Sequence, residues 1–68
     1  MFTQGQMVRV NLAGMEFGGV LFHAAVTDAV GHIVRQTSDV PPKFLVKLLF
    51  SFKGVSEVDA PADRIRAA

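Results

Sequence analysis

Apolar and polar residues alternate along several stretches of the chain, as they do in strands with one buried face. In "GQMVRVNL" (residues 5–12), Val8, Val10 and Leu12 fall on one side, which predicts a first strand. In "VLFHAAVTDAV" (residues 20–30), β-branched residues and flanking glycines favour a second strand over a helix. The glycine-rich "AGMEFGG" between the two predicts a turn or loop.

The most apolar run is "KFLVKLLFSFKG" (residues 43–54), which predicts a fourth strand after a short third strand in "HIVRQ". We expect a turn near residues 28–32, and a loop in "TSDVPP" because prolines cannot donate ladder hydrogen bonds. Alternation assigns one row of the fourth strand to the core: Phe44, Val46, Leu48, Phe50 and Phe52. The opposite row places two leucines around a lysine on a side that should face water: Leu45, Lys47, Leu49, Ser51 and Lys53.

The C-terminal part of the chain predicts a returning strand and a closing turn. Gly54 ends the fourth strand, and "VSEVDA" follows with Val58 and Ala60 facing inward. "DAPADRI" predicts one helical or 3₁₀ turn capped by Asp59, with Pro61 in its first position. Its last residue returns to the core.

Length and composition set the limits of this fold. Sixty-eight residues make a single domain, residues 1–68, and half of them are hydrophobic. Domains of this size have a thin stability margin and usually gain stability from disulfides, a metal or oligomerisation. Cysteine is absent, so disulfides and thiolate metal sites are excluded and oligomerisation is the expected supplement.

The sequence therefore predicts an all-β domain with about five short antiparallel strands and a 3₁₀ turn before the last one. It resembles the bacterial SH3-like small barrels in "FTQGQMVRV", "FGGVLF" and the ending "VSEVDAPADRI". Within that fold the layout is similar to electron-transport accessory barrels: a photosystem I accessory subunit, the ferredoxin–thioredoxin reductase variable chain and the nitrile hydratase β-subunit domain. Such a resemblance implies a small closed or partly open barrel that readily acts by association.

The plasmid-encoded type II dihydrofolate reductase is built on the same barrel. Its family works as a homotetramer with a central pore lined by a Val-Gln-Ile-Tyr segment. Residues 55–58 would correspond, and they read Val-Ser-Glu-Val, without the glutamine and the tyrosine. A pore enzyme using Ser56 and Glu57 is thus the least favoured alternative.

Charge and hydropathy exclude several other classes. The net charge is +1 and positive and negative residues are interspersed without a block of one sign, so no basic arm for nucleic acid or membrane surfaces is indicated. No apolar run approaches the ~20 residues of a membrane-spanning helix. The first ten residues do not resemble a secretion signal, so we expect a soluble, cytoplasmic protein.

No catalytic or cofactor motif is evident. His23 and His32 are the only histidines, and their spacing supplies no metal site. Glu57 and Asp59 would share an outward face, where a solvated ionic role is expected rather than acid–base catalysis. The glycines fit neither a Walker loop nor a dinucleotide fingerprint, so we expect no cofactor and lean against an enzyme.

Two binding functions remain from the sequence. The favoured one is self-association, or docking on a protein partner, through an outer apolar strand face formed by Met7, Leu21, Ala25, Leu45, Lys47 and Leu49. The alternative is a nucleic-acid-binding barrel with contacts from Arg9, Lys47 and Lys53. This alternative lacks the tyrosine and tryptophan platforms that usually stack on bases.

Overall fold

The computed structural model describes residues 2–68, which are organised around a five-stranded antiparallel sheet. Strands β6, β5, β4, β1 and β7 pair in that order, while β2 and β3 form a separate hairpin. A 3₁₀ turn lies immediately before β7. The predicted all-β class, with five antiparallel strands and this turn, is confirmed. The strands are β1 (Met7–Val10), β2 (Glu16–Phe17), β3 (Val20–Leu21), β4 (Ala29–Asp39), β5 (Pro42–Phe52), β6 (Val55–Pro61) and β7 (Ile65–Ala67).

One side of all five main strands packs into a single hydrophobic core, so the sheet curves around it. Val8, Val10 and Leu12 are fully buried, as their alternation predicted. The inward positions predicted for the returning strand, Val58 and Ala60, are also confirmed. The buried residues are Val8, Val10, Leu12, Phe22, Ala29, Ile33, Phe44, Val46, Leu48, Val58, Ala60 and Ile65.

The second predicted strand is largely wrong. Only Val20–Leu21 is strand, and the chain then runs irregularly to β4. Local bonds replace the ladder there: the Val26 amide donates to the His23 carbonyl over 3.0 Å, and the Ala25 amide donates to His23 Nδ1 over 3.0 Å. Phe22 is buried and Val20 and Val26 pack against the core, so burial at these three positions follows the alternation although the backbone does not form the predicted strand.

The third strand and the loop after it also differ from prediction. β4 has eleven residues and covers positions 29–32 of the expected turn and positions 37–39, the first half, of the expected loop. β5 likewise has eleven, and only Val40 and Pro41, joined by a cis peptide bond, separate the two strands. The C-terminal end of β4 is polar and mostly exposed, and it pairs with the start of β5. Because this end buries no apolar row, the hydrophobic pattern of the sequence did not predict that it is a strand.

Within β5 the predicted inward row holds for its first three members only. Phe44, Val46 and Leu48 are buried, whereas Phe50 is 75% exposed and Phe52 is half-buried. The pairing with β6 is irregular between Lys47 and Phe52, where four β5 residues face one β6 residue. Such a bulge ends the strict alternation of sides, so the prediction for Phe50 is wrong.

The 3₁₀ turn spans Ala62–Arg64, and its cap differs from the predicted one. Pro61 is the N-cap residue and no side chain caps the turn. Asp59 instead accepts a hydrogen bond from the Thr37 hydroxyl over 2.6 Å. Asp59 belongs to β6, so its side chain contacts another strand rather than the following turn.

Candidate functional site: the outer surface of β1, β4 and β5

A row of outward side chains crosses four neighbouring strands. Met7 pairs with His32, His32 pairs with Lys47, and Lys47 pairs with Glu57. Their strand neighbours Val8, Ile33, Val46 and Val58 are buried, so this row lies on the opposite side, away from the core. The row places Lys47, a predicted interface residue, between a half-buried histidine and an acidic edge strand.

Leu45 and Leu49 lie on either side of Lys47 along β5. Leu45 pairs with Arg35 on one strand and Asp59 on the other, and it is half-buried. Leu49 is 53% exposed. Of the two leucines that flank the lysine, Leu49 is therefore the one most available to a partner.

Leu49 also begins the irregular part of β5. Leu48 is the last β5 residue paired with β4, and no pairing with β6 is present between Lys47 and Phe52. Leu49 and Phe50 are thus exposed at consecutive positions of a segment without a paired residue on β4 or β6. Alternation in the sequence could not reveal this segment, because Phe50 occupied a predicted core position.

The structure separates the six predicted interface residues into two groups. Met7, Leu45, Lys47 and Leu49 lie on the outward side of β1 and β5. We call their surroundings the outer patch, which consists of Met7, Val30, His32, Leu45, Lys47, Leu49 and the adjacent Phe50.

Leu21 and Ala25 lie elsewhere, on the segment that joins β1 to β4. Leu21 is in β3 and is 69% exposed, and Ala25 is in an exposed turn. Leu21 lines a cavity of about 350 Å³ whose opposite wall is Ser51–Lys53, at the end of β5. They miss the outer patch because the predicted second strand, which would have placed them beside β5, is not formed.

The three basic residues of the nucleic-acid alternative do not form one groove. Lys47 lies opposite the acidic Glu57 of β6. Arg9 is on the same outward side as Lys47 but two strands away, on β1, where it pairs with Val30 and Arg66. Lys53 is in the β5–β6 turn with a φ of 50°. This distribution gives no support to a continuous basic track.

The histidines and carboxylates have structural surroundings. His23 Nδ1 accepts the Ala25 amide in a local turn, and His32 lies in the middle of β4 rather than near a turn. Residues 2–68 contain no group of three or more histidine, aspartate or glutamate side chains placed to bind a metal ion. Ser56 and Glu57, the candidates for a pore enzyme, are exposed on β6 at the edge of the sheet.

A polar cavity that the sequence did not indicate lies at the β7 edge of the sheet. It measures about 360 Å³ and brings together residues from three separate parts of the chain. Its lining contains Arg9, Asn11, Thr27, Asp28, Asp63, Arg64 and Arg66. The sequence does not indicate this cavity, because its lining residues are far apart in the chain and the pairing of β1 with β7 brings them together.

Comparisons with protein-family models, curated proteins and solved structures find no significant match to this chain. Across residues 2–68, no helix has both the length and the apolar character needed to cross a bilayer.

Proposed function

We propose that the protein is a non-catalytic assembly module that associates with a second copy of itself through the outer patch. The observation that carries this proposal is the pair Leu49 and Phe50, which are 53% and 75% exposed on adjacent positions of β5. Large apolar side chains exposed together on an unpaired strand segment favour association, since they otherwise promote aggregation.

The neighbourhood of this pair supports a contact surface. Met7 is 42% exposed, and Val30 and His32 between it and β5 are half-buried. Lys47 crosses this region, where its methylene stem can cover apolar atoms while its ammonium group stays in water. Because Lys47 is opposite Glu57, two copies of the patch bring together little net charge.

A second copy is favoured as the partner on grounds of size. The monomer has a total accessible surface of 4168 Å². A standard interface takes ~800 Å² from each partner, which is roughly a fifth of that surface. A chain of 68 residues without cysteine gains stability from burying such a fraction.

The edges of the sheet favour association through the patch rather than through strand addition. β6 is one edge strand, and it carries Glu57, Asp59 and a terminal proline, Pro61. β7 is the other, and it has only three residues. Charged residues, proline and short length are the usual means by which edges resist pairing with another chain.

The test is the molar mass in solution of the wild type and of Leu49→Ser/Phe50→Ser. Sedimentation over a range of concentrations should show two chains for the wild type and one for the double variant. Leu45 is left intact because its half-buried side chain contributes to the fold. Val40→Ser is the matched control, because Val40 is 91% exposed at the turn between β4 and β5.

A single-chain mass for the wild type at every concentration would reject self-association. Equal dimer stability in the double variant would reject the outer patch as the contact surface. Backbone amide spectra of each variant establish that the fold is retained. If Val40→Ser dissociates the dimer as strongly as the double variant does, the contact lies elsewhere.

A further inference from the structure

We propose that the cavity at the β7 edge, here called the arginine cavity, binds the phosphate group of a small hydroxylated phosphomonoester. The cavity lies between β1, the chain just before β4, the 3₁₀ turn and β7. Its volume of about 360 Å³ falls in the range of ~300–1,000 Å³ typical of small-molecule sites. The proposal does not depend on self-association.

Two arginines face each other across neighbouring strands in the lining of the arginine cavity. Arg9 on β1 lies directly opposite Arg66 on β7. Like charges in direct cross-strand positions are destabilising unless an anion is nearby. Asp28 forms an ion pair with Arg66, whereas Arg9 has no carboxylate partner within residues 2–68. Arg9 is therefore the guanidinium that an external anion would satisfy.

Arg64, which also lines the arginine cavity, is held by hydrogen bonds to the backbone. Its Nη1 donates to the carbonyl oxygens of Ala13, over 3.2 Å, and Asn11, over 3.5 Å. These bonds hold the half-buried guanidinium in place. Its Nε and Nη2 groups donate no hydrogen bond to any atom of residues 2–68. A planar guanidinium fixed in this way is suited to a phosphate, because its donors match the oxygens in pairs.

The other polar groups indicate what is attached to the phosphate. Thr27 and Asn11 add a hydroxyl and an amide to the lining. Asp63 also faces the cavity, and its carboxylate would repel a phosphate but accept hydrogen bonds from ligand hydroxyls. A phosphate bound between Arg9 and Arg64, with a hydroxylated carbon chain toward Asp63, uses both kinds of group.

The test is an NMR titration of the full chain with inorganic phosphate and with glucose 6-phosphate, at constant ionic strength maintained with chloride. We expect saturable shifts at the Arg9 and Arg64 side chains, with tighter binding of glucose 6-phosphate. Arg9→Gln should weaken binding by about tenfold, the value of one charge-assisted hydrogen bond. Arg35→Gln, an exposed arginine of β4 outside the cavity, should bind like the wild type.

Shifts that grow linearly without saturation, or equal affinities for the wild type and Arg9→Gln, would overturn the proposal. A single-stranded DNA oligonucleotide forms the second arm and separates two sources of phosphate. Binding of the oligonucleotide without binding of either small phosphate would also overturn it. The molar masses of the wild type and of Arg9→Gln are measured at the protein concentration of the titration. They report on self-association independently of phosphate binding.

Discussion

Gly31 and Lys47 approach each other so closely that a Cβ atom on Gly31 would lie 2.5 Å from the Lys47 carbonyl oxygen. Gly31 is paired on one side with Val8 of β1 and on the other with Leu48 of β5. The three central strands therefore meet at a residue without a side chain. The close approach brings the backbone of β4 against β5 where the sheet curves around the core.

Replacing Gly31 with alanine should destabilise the domain. The added methyl group would also meet Val46 Cγ1 at 2.9 Å, and a backbone carbonyl cannot move aside as a flexible side chain can. We expect a loss of about 1–3 kcal/mol in the free energy of unfolding, as for other overpacked positions. Urea unfolding measures this difference.

Arg35→Ala on the same strand is the control for that measurement. Arg35 is exposed, so its truncation should change the free energy of unfolding by less than about 0.5 kcal/mol. An unchanged urea midpoint for Gly31→Ala would show that β4 and β5 do not approach as closely as described.

The two phenylalanines of β5 give a matched pair of substitutions. Phe44 is 1% exposed and packs edge-on against Phe2, with ring centroids 5.5 Å apart. Phe50 is 75% exposed. Phe44→Ala should therefore cost about 3–5 kcal/mol, enough to unfold much of the population of a small domain.

Phe50→Ala removes the same atoms from a solvent-exposed position, so its effect on monomer stability should stay within about 0.5 kcal/mol. Urea unfolding at low protein concentration, where association contributes least, compares the two. Equal losses would place Phe50 in the core, as strict alternation along β5 had predicted.

The sequence predicted the fold class because alternation is strong where a strand has one buried side. Val8 and Val10 in β1, and Val58 and Ala60 in β6, all lie on the side that the pattern indicated. Alternation failed where local geometry interrupts the ladder. Phe50 follows an irregular pairing, and nothing in "LLFSFKG" indicates that β6 contributes one residue against four of β5.

The candidate sites were predicted less completely, because they depend on contacts between distant parts of the chain. Lys47 and Leu49 were found from one strand alone. Leu21 was assigned to the same face through a second strand that does not form. Arg9 and Arg66 are 57 positions apart and meet only through the pairing of β1 with β7.

Arg64 joins the end of the chain to the segment after β1. Its guanidinium donates to the carbonyl oxygens of Asn11 and Ala13, and its own carbonyl accepts the Asn11 amide over 2.8 Å. The Asn11 side chain in turn accepts the Ala13 amide over 3.1 Å. These bonds fix the start of the segment that leads to β2.

Arg64→Ala should therefore loosen residues 11–13 and lower the free energy of unfolding by about 1.5–3 kcal/mol, the range for hydrogen bonds to a charged group. Amide hydrogen exchange should accelerate at Ala13, whose carbonyl loses its hydrogen bond to Arg64 of the 3₁₀ turn. Arg64→Lys keeps the charge but cannot present two donors from a fixed plane, so we expect an intermediate effect.

Arg66→Ala is the comparison that separates this role from simple loss of charge. The Arg66 side chain is 66% exposed and its partner Asp28 is 45% exposed. Exposed ion pairs contribute at most about 1 kcal/mol, so Arg66→Ala should have the smaller effect on stability and leave exchange at Ala13 unchanged. If both variants accelerate exchange equally, the carbonyl contacts of Arg64 do not hold this segment, and its guanidinium is not fixed for binding an anion.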